Sequence, residues 1–495
     1  MDLSKLTKDA LLVKCCELGI TKCKSKNKTQ LIELINVHNT PKHDQELLKQ
    51  TGSTTSSKNN VLIKFIIEDS DDDSDEYDSD EDDSIECTNN DSFQSVVNGD
   101  EKEINNANNL KFIDLFCGIG GFHQALSKLG AQCVLACDID KDCRKVYADN
   151  YDIEPVSNVK EIDEKTMPDF DILCAGFPCQ AFSNGGKKKC FEDERGLLFD
   201  EIVRIAREKR PKFMFLENVK HILKVSNGEV IEYIRRKIDQ LGYNLQLFQI
   251  SPHNYGIPQQ RERVYFVCIR KDIYCGQNVE LRKYVGKLDF NKFLDKESEI
   301  DDKYFIKGDT LNVLEAWDEM VKQFEVGEKI SPTILINDAY KQYTEQEFKL
   351  FPAWKQEYIT KNKPLLTKYQ SQFAEWYAKH SELLQKREIY GKLEWQTGLI
   401  KEGDSIFNHF IQIRQSGIRV KKGQYFPTLV AIGQIPIYGK EKRYITPREC
   451  ARLQSFPETF RLASDDKKSY KQLGNSVNVS NVYNVISSTL KLYGM

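Results

Sequence analysis

From residue 110 to about residue 270, short apolar runs alternate with longer amphipathic stretches, and this alternation constrains the chain most. The strand candidates are KFIDLF, CVLAC, DILCAG, KFMFLE and VYFVCI. Between them, residues 121–130, 196–209 and 228–241 space their apolar positions as helices do. Near-continuous apolar strands separated by amphipathic helices predict an α/β fold with a parallel sheet covered on both faces.

Around this core the composition changes three times. Residues 1–38 place Leu6, Leu11, Leu12 and Leu18, then Leu31, Ile32, Leu34 and Ile35, on two helical faces joined by a Lys-rich link. Residues 39–109 are polar and poor in aromatics, which predicts a disordered linker. Residues 271–442 break the strand–helix alternation and are rich in Lys, Tyr, Phe and Trp, and residues 443–495 return to helical patterning.

The formal charge of −4 hides an uneven distribution. Residues 68–86 hold thirteen acidic and no basic residues, and without them the charge is +9. A mildly basic body suits a polyanionic partner. The 14 cysteines show no repeated CxxC spacing, and no Cys/His cluster matches zinc-ligand intervals, so free thiols in a reducing compartment are expected and no metal site. The start of the chain lacks a signal-peptide pattern, and no run reaches the ~18 apolar residues of a membrane span. The expectation is an intracellular protein, not secreted and with no membrane partner.

Three strand ends carry chemistry. The first runs into Phe116-Cys117-Gly118-Ile119-Gly120-Gly121, a glycine turn that lets backbone approach a ligand. The second ends in Asp138, about twenty residues on, where a carboxylate can accept both hydroxyls of a ribose. A nucleoside cofactor follows from the pair, with a packing turn and a solvated Asp as the bland alternative. The third runs into Phe177-Pro178-Cys179-Gln180, and the fourth ends in Glu217-Asn218-Val219. A thiolate and a carboxyl group at neighbouring strand ends can serve covalent catalysis with acid assistance.

With these motifs the chain resembles the cytosine-5 DNA methyltransferases over roughly residues 110–495. FCGIGG, GFPCQ-AFS, ENV, Gln259-Gln260-Arg261-Glu262-Arg263, the stretch RYITPRECARLQSFP and Gly474-Asn475-Ser476-Val477 occur in that family's order. The resemblance implies a Rossmann-like class I catalytic domain that uses S-adenosyl-L-methionine (residues 110–270, completed by 443–495) and a smaller target-recognition domain (271–442). It implies methyl transfer to carbon 5 of a flipped-out cytosine in a specific sequence of double-stranded DNA, by a monomer.

Cys179 would be the covalent nucleophile and Glu217 the acid at ring nitrogen 3. Asn218 and Arg261 would position them, and Arg263 would contact the cytosine oxygen. For the cofactor, the resemblance places Phe116 and Ile139 against the adenine, Gly118 and Gly120 in the turn, and Asp138 on the ribose. Pro178, Leu198, Asn475 and Val477 would line the remainder. Asn158, followed by Val159, stands where an Asp often binds the adenine amino group. Asn184-Gly185-Gly186-Lys187-Lys188-Lys189 would close over the flipped base, and Thr428-Leu429 resembles a pair found in the recognition domains.

An RNA-modifying branch of the family is the nearest rival, but its compact recognition region and Cys-Phe-Thr signature beyond ENV are missing here. A catalytically inactive DNA-binding protein is the other, and intact Cys179, Glu217, Arg261 and Arg263 weigh against it. Residues 1–38 resemble a SAP module through Leu18-Gly19-Ile20 and Lys28-Thr29-Gln30-Leu31. Residues 61–67, VLIKFII, followed by the acidic run, resemble a SUMO-interacting motif, which implies a eukaryotic setting, in the nucleus or in the cytoplasm of a virus-infected host.

Overall fold

The computed structural model describes residues 109–178, 197–282, 284, 286–341, 343–430 and 434–495. Cys179, the lysine-bearing loop after it, and the whole of residues 1–108, with the SAP-like and SUMO-motif-like segments, lie outside the described residues.

Six strands build the first sheet: β1 (Lys111–Leu115), β2 (Gln132–Cys137), β3 (Ile172–Gly176), β4 (Phe213–Val219), β5 (Tyr243–Ile250) and β6 (Arg263–Arg270), in the order β2-β1-β3-β4-β6-β5. From β2 through β4 the pairings are parallel. Strand β6 runs antiparallel to both β4 and β5. The expected all-parallel sheet is therefore mixed. Residues 251–262, which join β5 to β6, form no crossover helix, only the short 3₁₀ turn Pro252–Tyr255, so the chain turns back on itself.

Side-chain alternation sends successive residues to opposite faces. Phe112, Ile172, Phe215 and Val267 enter one apolar core with α1 (Gly121–Lys128) and the C-terminal helix Val479–Leu492. Ile113, Leu173, Leu216 and Phe266 enter the other core, with α2 (Leu197–Lys209) and α3 (Glu229–Gln240). These helices carry their buried residues at helical spacing, as in Val230, Ile231, Ile234 and Ile238 of α3. After β1 the chain crosses outward to β2, then returns to β3 on the other side of β1. The carboxyl ends of β1 and β3 therefore flank the switch point where open α/β sheets bind ligands.

A second six-stranded sheet spans residues 334–444 and has its own core. Trp317 and Trp376 pack there with ring centroids 4.7 Å apart, so Trp376 is scaffold, whereas Trp354 is about half exposed. The strand pair Phe410–Arg414 and Gly417–Lys421 forms an antiparallel hairpin of this sheet. The run Gln412-Ile413-Arg414-Gln415-Ser416-Gly417-Ile418-Arg419 has by sequence the donors suited to guanine edges or phosphate, but Gln412 is fully buried on the hairpin and Arg419 is paired with Glu394 at 2.6 Å. Both donors are occupied within the protein because the sequence pattern of a reading edge is also that of a half-buried strand. Gln415 and Ser416, at the hairpin tip, are exposed.

Candidate active site

The site lies along the carboxyl ends of β2, β1, β3 and β4. At the β1 end, Phe116 adopts φ 54° and Gly118 and Gly120 have φ 54° and 88°, so the chain leaves the strand through a left-handed turn into α1. At Gly120 a side chain would strike the Tyr151 ring at 2.3 Å, and at Gly121 it would strike Val477 at 2.6 Å. Over Gly118 the space is open. The glycines thus have different reasons: two for packing, and one beside a surface that a ligand can approach.

Tyr151 is itself held in place. Its hydroxyl donates to the Gly120 carbonyl at 2.9 Å, and its ring stacks on His123 at 3.8 Å. His123 is buried, with Nδ1 2.6 Å from the Tyr147 hydroxyl, and burial pushes the imidazole down to about 4. It is neutral at physiological pH and acts as packing beneath the turn.

Asp138 receives Gly118 N–H at 2.8 Å on one oxygen and Asp140 N–H at 2.7 Å on the other. Desolvation raises its carboxyl above the usual range, opposed by those two bonds. Each oxygen keeps a lone pair for a further donor. Next to it, Ile139 is 82 % exposed, an apolar side chain presented to solvent at a strand end. An anchored carboxylate, open backbone and an exposed apolar face fit a nucleoside: ribose hydroxyls on Asp138, a base against Ile139.

Asn158 follows the bridge that joins Cys137 to Val156, which brings it to the end of β2. Its side-chain oxygen caps a short turn by accepting Lys160 N–H at 3.1 Å, and its amide nitrogen lies 3.5 Å from Glu161. Val159 is buried in the core. In this structure Asn158 works as a turn cap, and a ligand's amino group would share its one carbonyl oxygen. Leu198 packs against the same core at the start of α2, and Pro178 is half-buried at the end of the described loop after β3. Asn475 is exposed at the end of helix Asp466–Asn475, while Val477 is buried between Gly121 and Gly176. Lys468 and Lys471 of that helix pair with Asp142 and Asp140, each at 2.8 Å, tying it to the segment after β2.

At the β4 end the construction is different. Glu217 is buried, and its carboxyl is raised above the ordinary glutamate range by desolvation, opposed by Arg263 and Arg261. Arg263 Nε lies 3.2 Å from Glu217 Oε1, brought there because β6 runs antiparallel beside β4 with Arg263 opposite Val219. Asn218 is 3 % exposed and donates through Nδ2 to the Phe177 carbonyl at 2.9 Å. It fastens the acid-bearing strand to the loop that leads into Pro178 and Cys179.

Arg261 is 2 % exposed. Its guanidinium donates to the carbonyls of Leu429 (2.7 Å), Gly474 (2.9 Å) and Ser476 (2.7 Å). Burial pushes it down to about 9, and Arg263 adds to the fall. Three carbonyl acceptors favour the cation, so it is charged at neutral pH. The partners of Arg261 come from segments more than 160 residues away, and no sequence pattern announces them.

The α/β sheet thus carries a switch point that fits a nucleoside, and beside it a buried acid tied through Asn218 to the Phe177 carbonyl, an arrangement suited to an enzyme. The family is shown by comparison with known proteins. The model of the C-5 cytosine-specific DNA methylase family matches residues 110–491, and the chain belongs to that family: it is a cytosine-5 DNA methyltransferase. It is 33 % identical over 384 residues to the type II methyltransferase M.HhaI of Haemophilus parahaemolyticus, covering 77 % of this chain and 95 % of the relative. It is 31 % identical over 421 residues to M.BanI of Aneurinibacillus aneurinilyticus, covering 76 % and 95 %. No described helix is long and apolar enough to cross a membrane, and no described cluster of His, Cys, Asp or Glu could hold a metal ion.

Proposed function

We propose that the chain methylates carbon 5 of a flipped-out cytosine at a specific DNA sequence, with Cys179 as nucleophile, Glu217 as acid and S-adenosyl-L-methionine as donor. The observation that carries this reading is the buried Glu217, raised by desolvation, paired with Arg263 and linked through Asn218 to the loop before Cys179. Carbon 5 is too weak a nucleophile unaided. The Cys179 thiolate adds to carbon 6, forming the C–S bond and placing electron density on carbon 5 and nitrogen 3. Glu217, whose carboxyl burial raises above the ordinary glutamate range, donates its proton to nitrogen 3. Arg263, already on Glu217, would donate to the exocyclic oxygen on carbon 2. S-adenosyl-L-methionine supplies an electrophilic methyl group on a sulfonium. Carbon 5 would take that methyl group as its bond to the sulfonium sulfur breaks, leaving the neutral thioether S-adenosylhomocysteine. Loss of the carbon 5 proton to solvent water would then re-form the 5,6 double bond and expel Cys179 as the thiolate, with the nitrogen 3 proton returning to Glu217.

The cofactor half rests on Asp138, Ile139 and the turn at Phe116, Gly118 and Gly120, lined by Pro178, Leu198, Asn475 and Val477. Asn158 contributes an acceptor it also uses as a cap. Flipping the base costs a few kcal/mol, which contacts to the flanking DNA must offset. Residues 271–442 read the sequence in this proposal, and the protein acts as a monomer.

The test is incubation of the full chain with labelled cofactor and random duplex DNA, then bisulfite sequencing. Label should enter DNA at cytosine 5 in one motif. The Cys179→Ser variant should transfer none while still binding S-adenosylhomocysteine. Label in RNA alone, or near-normal transfer by the variant, would overturn the reading. Residues 1–38 are proposed to add DNA affinity as a SAP-like unit; deleting residues 1–100 should weaken DNA binding, and unchanged binding removes the idea. Residues 61–86 are proposed to bind SUMO, which titration of a residue 58–88 peptide into labelled SUMO checks: absence of shifts ends it.

A further inference from the structure

Arg261 holds both the Gly474–Ser476 segment, which leads into the glycine turn's packing partner, and the segment around Leu429. Gly474 and Ser476, two of its acceptors, flank Asn475 and precede Val477, which packs on the glycine turn at Gly121. Leu429, its third acceptor, lies in the segment that carries Thr428. That segment is laid along residues 258–261 by a short ladder: Phe426 N–H donates to Pro258 at 2.7 Å, Gln260 N–H donates to Phe426 at 3.0 Å, and the Thr428 hydroxyl donates to the Gln260 carbonyl at 2.6 Å. The Arg261 amide is itself anchored on the Ser251 hydroxyl at 2.9 Å.

Two features make this more than a packing arginine. Among the described residues no carboxylate lies within ion-pair distance of the guanidinium: its hydrogen bonds go to carbonyls, Glu217 acts on it only at longer range, and Nε has no hydrogen-bond partner there. A guanidinium is also a rigid plane, and hydrogen bonds weaken steeply with misalignment. Motion of the Gly474–Ser476 carbonyls therefore tilts the donor that holds Leu429, and the reverse holds equally.

We infer that Arg261 is a positioning residue that couples the cofactor-binding turn to the DNA-recognition segment, so that filling one site orders the other. The inference rests on the cofactor reading above. By linkage the coupling is reciprocal: if cofactor tightens DNA binding by some factor, DNA tightens cofactor binding by the same factor. It can act through ordering alone, without a change of mean structure.

Amide hydrogen exchange on the full chain tests it without requiring turnover or a known target sequence. Adding S-adenosylhomocysteine alone should slow exchange at residues 116–121 and also at residues 426–430 in the wild type. In Arg261→Lys the first effect persists and the second is lost, because one ammonium cannot span both sets of carbonyls. Slowing at 116–121 without any at 426–430 in the wild type overturns the coupling and leaves the cofactor reading intact. No slowing at either place overturns both. Retention of the distant effect in Arg261→Lys also overturns it, and the wild-type measurement decides alone if the variant does not fold. A second readout is DNA affinity with and without S-adenosylhomocysteine: a gain of about fivefold or more is expected in the wild type, and about none in the variant.

Discussion

The two halves of the site, the turn between β1 and β2 and the paired ends of β4 and β6, solve different physical problems. At the first, Asp138 is locked by two backbone amides, the surface over Gly118 is open and Ile139 points to solvent. At the second, Glu217, Asn218 and Arg261 are all less than a tenth exposed. A ligand that enters and leaves needs a preformed, accessible seat. An acid that must hold a proton near neutral pH needs desolvation, and an adjacent guanidinium keeps that desolvation from destabilising the fold. Mutations in the two halves should therefore separate binding from chemistry.

The largest effect is expected at the buried half. Glu217→Gln should lower methyl transfer by about 10²–10⁴-fold with S-adenosylhomocysteine affinity nearly unchanged, measured by single-turnover kinetics and calorimetry. Since the raised carboxyl must be protonated to act, the wild-type rate should fall as pH rises through its titration, and that limb should be missing in the variant. An equal loss of affinity would erase the distinction between the halves.

Next in size is a stability effect under the turn. The unfolded chain protonates His123 below about 6.5, while the folded chain resists until about 4. Its contribution is present above pH 6.5 and is lost as pH falls towards 4, amounting to about 3 kcal/mol. Denaturant unfolding across that range should show the loss, and His123→Phe should flatten that component.

Asp138→Ala should weaken cofactor binding by about 10-fold or more, since two ribose hydroxyls lose a charged acceptor worth about 1.5–3 kcal/mol. Saturating cofactor should restore most of the rate; failure to do so would place Asp138 in the chemistry. The smallest effect is expected for Ile139→Trp, which adds aromatic area at an exposed stacking position and should tighten binding by only a few fold. A loss of binding there would mean that the base does not lie on this side chain.

Much of the catalytic sheet was legible because fully buried strands are continuous apolar runs, as in DILCAG and KFMFLE. Strand β5, YNLQLFQI, is not legible in the same way: it is an edge strand, half-buried over most of its length, and mixes polar with apolar residues. Direction was also hidden, since VYFVCI reads alike whichever way β6 runs. The candidate site residues stand out in the sequence as motifs, and their proposed chemistry follows from residue type and from the family resemblance. At Asn158 the family resemblance implies an adenine acceptor, and the cap that its side-chain oxygen also forms on Lys160 depends on a local turn that composition does not reveal.

By itself, then, the sequence determined the strands that are buried on both faces, the order of the motifs and the family to which they belong, because apolar runs and glycine turns are local properties. Only the tertiary structure decided how charge is met. Pairing Arg263 with Glu217 requires an antiparallel neighbour, and satisfying Arg261 requires carbonyls 168 to 215 residues away. Burial and hydrogen-bond satisfaction are properties of the assembled surroundings, so the buried half of the site became visible only when the sheet was closed around it.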